Sequence, residues 1–348
     1  MELDQNGVLI HKIDTNGQPD CLKVFPHDLF EDDTLKGTFL AATYNYDSAS
    51  RKRSGSIIAF KPCRALETLL KRDNEHDNNA LNFSIAQHDL PGVLSCSWIR
   101  TQDHYAAACV TANLSINTLQ LATDTDENLS FKAIDEISLD PQSDAVGLSL
   151  SCHDDGLSLC SVTASDGNVY IVEDGIVTQK WKAHDVETWI SVFQPDNTNI
   201  LMTGADDSSI KVFDRREGTA PVRRLNHNSS GVTALQFNKR NTNLLYTGSF
   251  DRQLMRFDMR NMNMPISTSQ LDGAVWFMDF LDEDTVHIAG CYDGAFAYTS
   301  DEQGNPNKLV KRIAPNDALI YGAAHIKLSS TTVFASCNFY KKEILFWC

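Results

Sequence analysis

The amino-acid sequence predicts an all-β protein: a single seven-bladed propeller spanning residues 1–348, its ring closed by an N-terminal strand over residues 8–14. Three observations carry this. Segments 203–216 (TGADDSSIKVFDRR) and 247–260 (TGSFDRQLMRFDMR) are near copies, with weaker copies at 164–172 and 290–298. The turn aspartates Asp166, Asp207, Asp251 and Asp293 are 41, 44 and 42 residues apart, the period of a four-stranded blade. In each copy an alternating apolar run, a polar turn and a second alternating run follow one another, which is a strand, a tight turn and a strand.

Extending this register places inner strands near Asp20, Gly92, Asp144, Thr188, Gly231, Ala274 and Ala318. The last unit, from Ala318 to Cys348, has room for only three strands, so Val8–Asp14 is expected to supply the fourth and leave no open sheet edge. Residues 71–79 and 124–128 are polar and turn-rich and read as solvated loops between outer strands; residues 65–72 can form a short surface helix. About twenty residues before two of the turns stand His184 and His227, each after a small or polar residue. With these the sequence resembles the WD40-repeat family. The resemblance implies that His184 with Asp207 and Thr203, and His227 with Asp251 and Thr247, are hydrogen-bonded cement within their blades. Phe213 and Phe257 stand where the family has Trp, keeping the apolar contact without the indole donor.

Composition narrows the function. With 42% hydrophobic and 22% charged residues the chain can bury a large core. A formal charge of −16 repels phosphate backbones, so nucleic acid is not expected as a partner, whereas a cationic group or a basic protein surface would be attracted. No apolar stretch approaches a membrane span and the first residues lack the parts of a secretion signal. The nine cysteines are scattered without a C-x-x-C pair and read as reduced thiols. The expectation is a soluble cytoplasmic monomer with no membrane, metal or cofactor. Nucleophile-elbow, zinc-hydrolase, phosphate-loop and dinucleotide motifs are all missing, which points first to a binding platform.

Counting back four residues from Phe193, Phe237, Phe280 and His325, the ends of the last four inner strands, gives Trp189, Thr233, Trp276 and Tyr321. By analogy with WD40 propellers these positions open on the top surface beside the central channel. The residues preceding the turn aspartates, Asp206, Phe250 and Tyr292, with Tyr340 in the last blade, project to the same surface, and Glu187 lies two residues before Trp189. One rim thus collects six aromatic side chains and two carboxylates. π faces beside carboxylates suit a quaternary or methylated ammonium group, and the same composition is common in peptide-binding hot spots.

Several phrases, AHDVETWI at 183–190, GADD at 204–207, DMRNM at 258–262, GAVW at 273–276, LIYG at 319–322 and SCNFY at 336–340, resemble the diphthine methyl ester hydrolases of diphthamide biosynthesis, long called diphthine methyltransferases, with a looser match at 40–44. Lys341 stands where an Asp is expected and Ala205 where a Gly is. The resemblance implies a carboxylic ester hydrolase that removes the methyl ester from a trimethylated, carboxyl-bearing side chain on elongation factor 2. Ester hydrolysis needs an activated water or a nucleophile, and a holder for the oxyanion. Glu187 or Asp206 is a general base for water, with the Tyr321 hydroxyl or backbone amides at the oxyanion; Trp189, Phe250, Trp276, Tyr292, Tyr321 and Tyr340 would bind substrate. Cys291 and Cys337 fall in predicted strands, where a small buried thiol is the simpler reading, and His325 at a strand end reads as packed. Methyl transfer is disfavoured because no Gly-rich nucleotide site is visible. The alternative from another class is a non-catalytic WD40 adaptor that holds a protein ligand on its top face.

Overall fold

The structure, a computed structural model, describes residues 6–26, 34–63, 82–101, 104–153, 156–282, 285–301, 304–328 and 331–348. Every regular element in it is a strand, and the strands form seven four-stranded antiparallel sheets arranged as propeller blades. Blades one to six each use four consecutive strands, beginning with inner strands Pro19–Val24, Val93–Arg100, Gly147–Cys152, Thr188–Gln194, Val232–Phe237 and Phe277–Phe280. The seventh has Ile320–Lys327, Thr332–Asn338 and Glu343–Trp347, and its outer strand is Leu9–Asp14, paired antiparallel with Glu343–Trp347. The N-terminal closure is therefore as expected, and both ends of the chain sit in one sheet. The segments 65–72 and 71–79 lie outside the described residues. The 124–128 stretch is a tight turn in which Asp124 Oδ1 accepts the amides of Asp126 and Asn128, both at 2.9 Å.

Alternation along the strands makes the core: apolar side chains on both faces of each blade interlock with the next blade. The seam where the ring closes is the most aromatic part. Phe39 and Phe60 of the first blade stack at 5.5 Å, and Phe346 of the seventh meets Phe39 edge-on at 5.3 Å. Aromatic pairs of this kind add about 0.5–1.5 kcal/mol each beyond the area they bury. Phe213 and Phe257 are fully buried, as their place in the repeat predicts.

The two histidines part company. His184 Nδ1 lies 3.0 Å from Asp207 Oδ2 and its Nε2 2.8 Å from Thr203 Oγ1, the expected cement. His227 makes neither bond. Its ring packs on Phe257 at 5.6 Å, Asp251 Oδ2 instead accepts the Ser229 amide at 2.8 Å, and the buried Thr247 hydroxyl has no hydrogen-bond partner among the described residues. The cause is spacing: 24 residues separate His227 from Asp251 against 23 between His184 and Asp207, and the extra residue brings a backbone amide to the carboxylate in place of the ring.

Candidate functional site: an aromatic mouth with carboxylates

The inner strands share one irregularity. In six blades the first inner-strand residue and the third pair with consecutive residues of the next strand, so the second is a bulge: Asp20, Leu94, Leu148, Trp189, Thr233 and Tyr321. In the sixth blade Trp276 holds this place, just before Phe277, with its amide on the Ala289 carbonyl at 2.9 Å. A bulge re-aims the side chain it carries. Here it lifts one residue from each blade to the end of the channel where the second and third strands of each blade turn.

On one arc of this ring the side chains touch. Trp189 and Trp276 have ring centroids 5.1 Å apart, and Trp276 and Tyr321 4.8 Å. The two tryptophans come from the fourth and sixth blades, so they meet across the fifth. They do so because Thr233, the fifth blade's bulge residue, is small and its hydroxyl is turned into the wall to donate to the Val275 carbonyl. The chain of rings continues through Phe339, 5.2 Å from Tyr321, to Tyr340 at 5.8 Å from Phe339, and the Tyr340 and Tyr292 hydroxyls are hydrogen-bonded. Phe339 was not singled out in the sequence, although it belongs to the SCNFY phrase. Phe250 is on the same face, 43% exposed, and no ring contact joins it to the others among the described residues.

Of the two expected carboxylates, Asp206 is held in the mouth: its Oδ1 accepts the Trp189 indole N–H at 3.3 Å, and its amide donates to the Glu187 carbonyl at 3.1 Å. Glu187 is joined to the site through that backbone bond, and its side chain is exposed. Burial pushes the Tyr321 hydroxyl well above the usual phenol range, with the charge of Asp20 next in effect, so Tyr321 keeps its proton and can donate a hydrogen bond. The two cysteines considered as nucleophiles are buried and their thiols are pushed up by that burial. Cys337 is inside a strand as expected. Cys291 lies beyond the end of its strand, Thr285–Ala289, in the turn, with a left-handed φ of 54°. His325 is packed with Nδ1 2.9 Å from Asp279 Oδ2.

The carboxylate that sequence reasoning passed over is Asp20. Counting four back from Phe25 lands on Cys21, because Phe25 lies one residue past the end of its strand. The bulge register shows that Asp20, not Cys21, is the equivalent of Trp189 and Tyr321. A cleft of about 520 Å³ at the same end of the propeller, lined by Arg51, Lys52, Arg53 and Asp140 among others, belongs to the first three blades and does not include the aromatic arc. Among the described residues no three His, Cys, Asp or Glu side chains converge as a metal ion requires, and no helix is long and apolar enough to cross a membrane.

Comparisons with known proteins agree with the fold. The family model described as WD domain, G-beta repeat matches residues 175–214 and 219–258. A diphthine methyltransferase of Schizosaccharomyces pombe is 25% identical over 328 residues, covering 92% of this chain and 91% of that protein. The Mus musculus diphthine methyltransferase is 24% identical over 273 residues, 72% of this chain and 56% of the mouse protein. Among solved structures, a chain of the mitotic checkpoint complex superposes with TM-score 0.67 at 13% identity, covering 100% of this chain and 93% of that one. The WD40 propeller domain of Doa1 gives 0.67 at 12% identity, covering 99% and 97%. The chain is thus a seven-bladed propeller that carries WD repeats at residues 175–214 and 219–258 and resembles the diphthine methyltransferases over most of its length.

Proposed function

We propose that this propeller is a carboxylic ester hydrolase that removes the methyl ester of diphthine methyl ester from elongation factor 2 during diphthamide biosynthesis. The observation that carries the reading is the contact series Trp189, Trp276 and Tyr321 at one mouth, with Asp206 hydrogen-bonded to the first ring. A trimethylammonium group laid on these faces gains about 0.5–2 kcal/mol per ring by cation–π attraction. The net charge of −16 draws a basic protein toward the face. The ester then lies beside Asp206, whose indole bond leaves the second carboxylate oxygen to accept a proton from water; Glu187, two residues before Trp189, is the other carboxylate within the same loop. Water adds to the ester carbon, Tyr321 O–H donates to the developing oxyanion, and collapse expels methanol and leaves the carboxylate.

The name methyltransferase borne by the relatives and the hydrolytic reading differ in the fate of the methyl group, and that is measurable. Purified chain incubated with methyl-esterified elongation factor 2 in plain buffer should release methanol stoichiometrically with ester lost. Asp206→Asn and Glu187→Gln, assayed separately, identify the base: the correct one lowers kcat by 10²-fold or more while substrate still binds. Absence of turnover with enzyme in excess over ester would discard the reading. The adaptor reading would then stand on the exposed Phe250, Tyr292 and Tyr340, at 43%, 65% and 54%, which are a fitting protein-docking surface.

A further inference from the structure

Asp20 occupies the bulge position of the first blade, next around the ring from Tyr321 in the seventh. The two strands are pressed together just behind these residues. A Cβ on Gly322 would come within 2.8 Å of the Leu22 amide nitrogen, so only glycine permits the approach that sets Asp20 beside Tyr321. Of the seven equivalent positions this alone is a carboxylic acid; the others are two leucines, a threonine and the three rings of the arc. Asp20 is part-buried, and among the described residues its carboxyl has neither a hydrogen bond nor an ion pair. A carboxyl without a protein partner at the end of an aromatic arc has the chemistry to receive a cation.

We propose that Asp20 is the counter-ion for a quaternary or methylated ammonium group seated on Trp276 and Tyr321. This deepens the function proposed above and rests on its placing of the cationic part of the substrate at this mouth. Burial, with the charge of Cys21 adding to it, pushes the Asp20 carboxyl up to about 8, so in the empty site it is largely protonated at neutral pH. An arriving cation favours the ionised form, and the proton leaves as the cation enters. The other ionisable groups facing Asp20 are few. Tyr321 on the neighbouring inner strand, Cys291 in the turn before it and Cys337 behind it are all pushed up by burial and stay neutral. Cys21 on its own strand is lowered, chiefly by the Cys96 thiol that donates to it at 3.8 Å, and next by Lys23.

The test is binding of choline, followed by tryptophan fluorescence at constant ionic strength, against its neutral isostere 3,3-dimethylbutan-1-ol. Choline should bind roughly tenfold or more tightly at pH 9 than at pH 6.5 and release a proton at the lower pH, while the neutral isostere shows no such rise. Asp20→Asn should erase the pH dependence and weaken choline binding at pH 9, Asp20→Glu should restore both, and Cys21→Ser should keep the pH dependence while moving it to lower pH, because the charge that raises Asp20 is gone. A profile unchanged in Asp20→Asn, one that disappears in Cys21→Ser, or no choline binding by the wild-type chain would overturn the proposal. Methanol release without choline binding would remove this inference and leave the hydrolase; Asp20-dependent choline binding without methanol release would do the reverse.

Discussion

If Asp20 waits for a cation, the empty protein bears a cost that a single atom exchange relieves. Asp20→Asn keeps the shape of the side chain and removes its ionisation, and because the carboxyl makes no hydrogen bond among the described residues, the amide forfeits none. The folded-state value of about 8 lies above the ordinary 3.8, so the group's contribution to stability is complete below pH 3.8 and is lost as pH rises toward 8. At about 1.4 kcal/mol per unit, the loss at pH 7.5 has a ceiling near 5 kcal/mol. Water still touches the mouth, which screens the burial term, and about half of the ceiling, roughly 2–3 kcal/mol, is the expected effect. Asp20→Asn should therefore be more stable than wild type at pH 7.5. With a urea m-value of about 3 kcal/mol/M this is a midpoint higher by roughly 0.7–1 M. At pH 5 the same arithmetic leaves about a third of the gain. Paired urea titrations at the two pH values are the assay. A variant equal to or less stable than wild type at pH 7.5, or a gain that does not shrink at pH 5, would refute the account of Asp20 as a buried, unpaired carboxyl.

Three further outcomes concern histidines of the blades. His287 is fully buried against Phe334 and Trp347, with the Ala324 backbone facing its ring, and burial pushes it down to about 3. The stability tied to its neutral ring is present above pH 6.5 and lost as pH falls, by about 2 kcal/mol at pH 5. His287→Phe should lose that much less than wild type between pH 7.5 and 5, and parallel urea midpoints would count against it. His184→Ala removes two side-chain hydrogen bonds, one to a carboxylate, and should cost about 2–3 kcal/mol in thermal or urea unfolding. His227→Ala, which removes neither bond in its blade, should cost under about 1 kcal/mol; equal losses would show that the fifth blade is cemented after all.

The contrast between what the residues disclosed and what they withheld has one physical source. Blade number, the N-terminal closure and the aromatic arc follow from the period of the turn aspartates and from counting along strands, because repeating chemistry in sequence becomes repeating position in a ring. His227 and Asp20 escaped for the same reason in two forms: each depends on register by a single residue. One added residue before Asp251 puts the Ser229 amide where a ring was expected. Phe25 stands one residue past the end of Pro19–Val24, so counting back from it gives Cys21 in place of Asp20. Neither shift alters hydrophobic alternation enough to be seen in the chain, yet a shift of one moves a side chain from the wall to the mouth. That is why the carboxyl most exposed to the consequences of burial read only as the start of the first inner strand. The two carboxylates that were legible, Glu187 and Asp206, lie in the loops above the ring, where solvent already stabilises a charge. Asp20 lies in the ring, where little but a bound cation can. A ring acid is ionised in step with its guest, so the division of labour should appear as an affinity that depends on pH through Asp20 and a kcat that depends on Asp206 or Glu187.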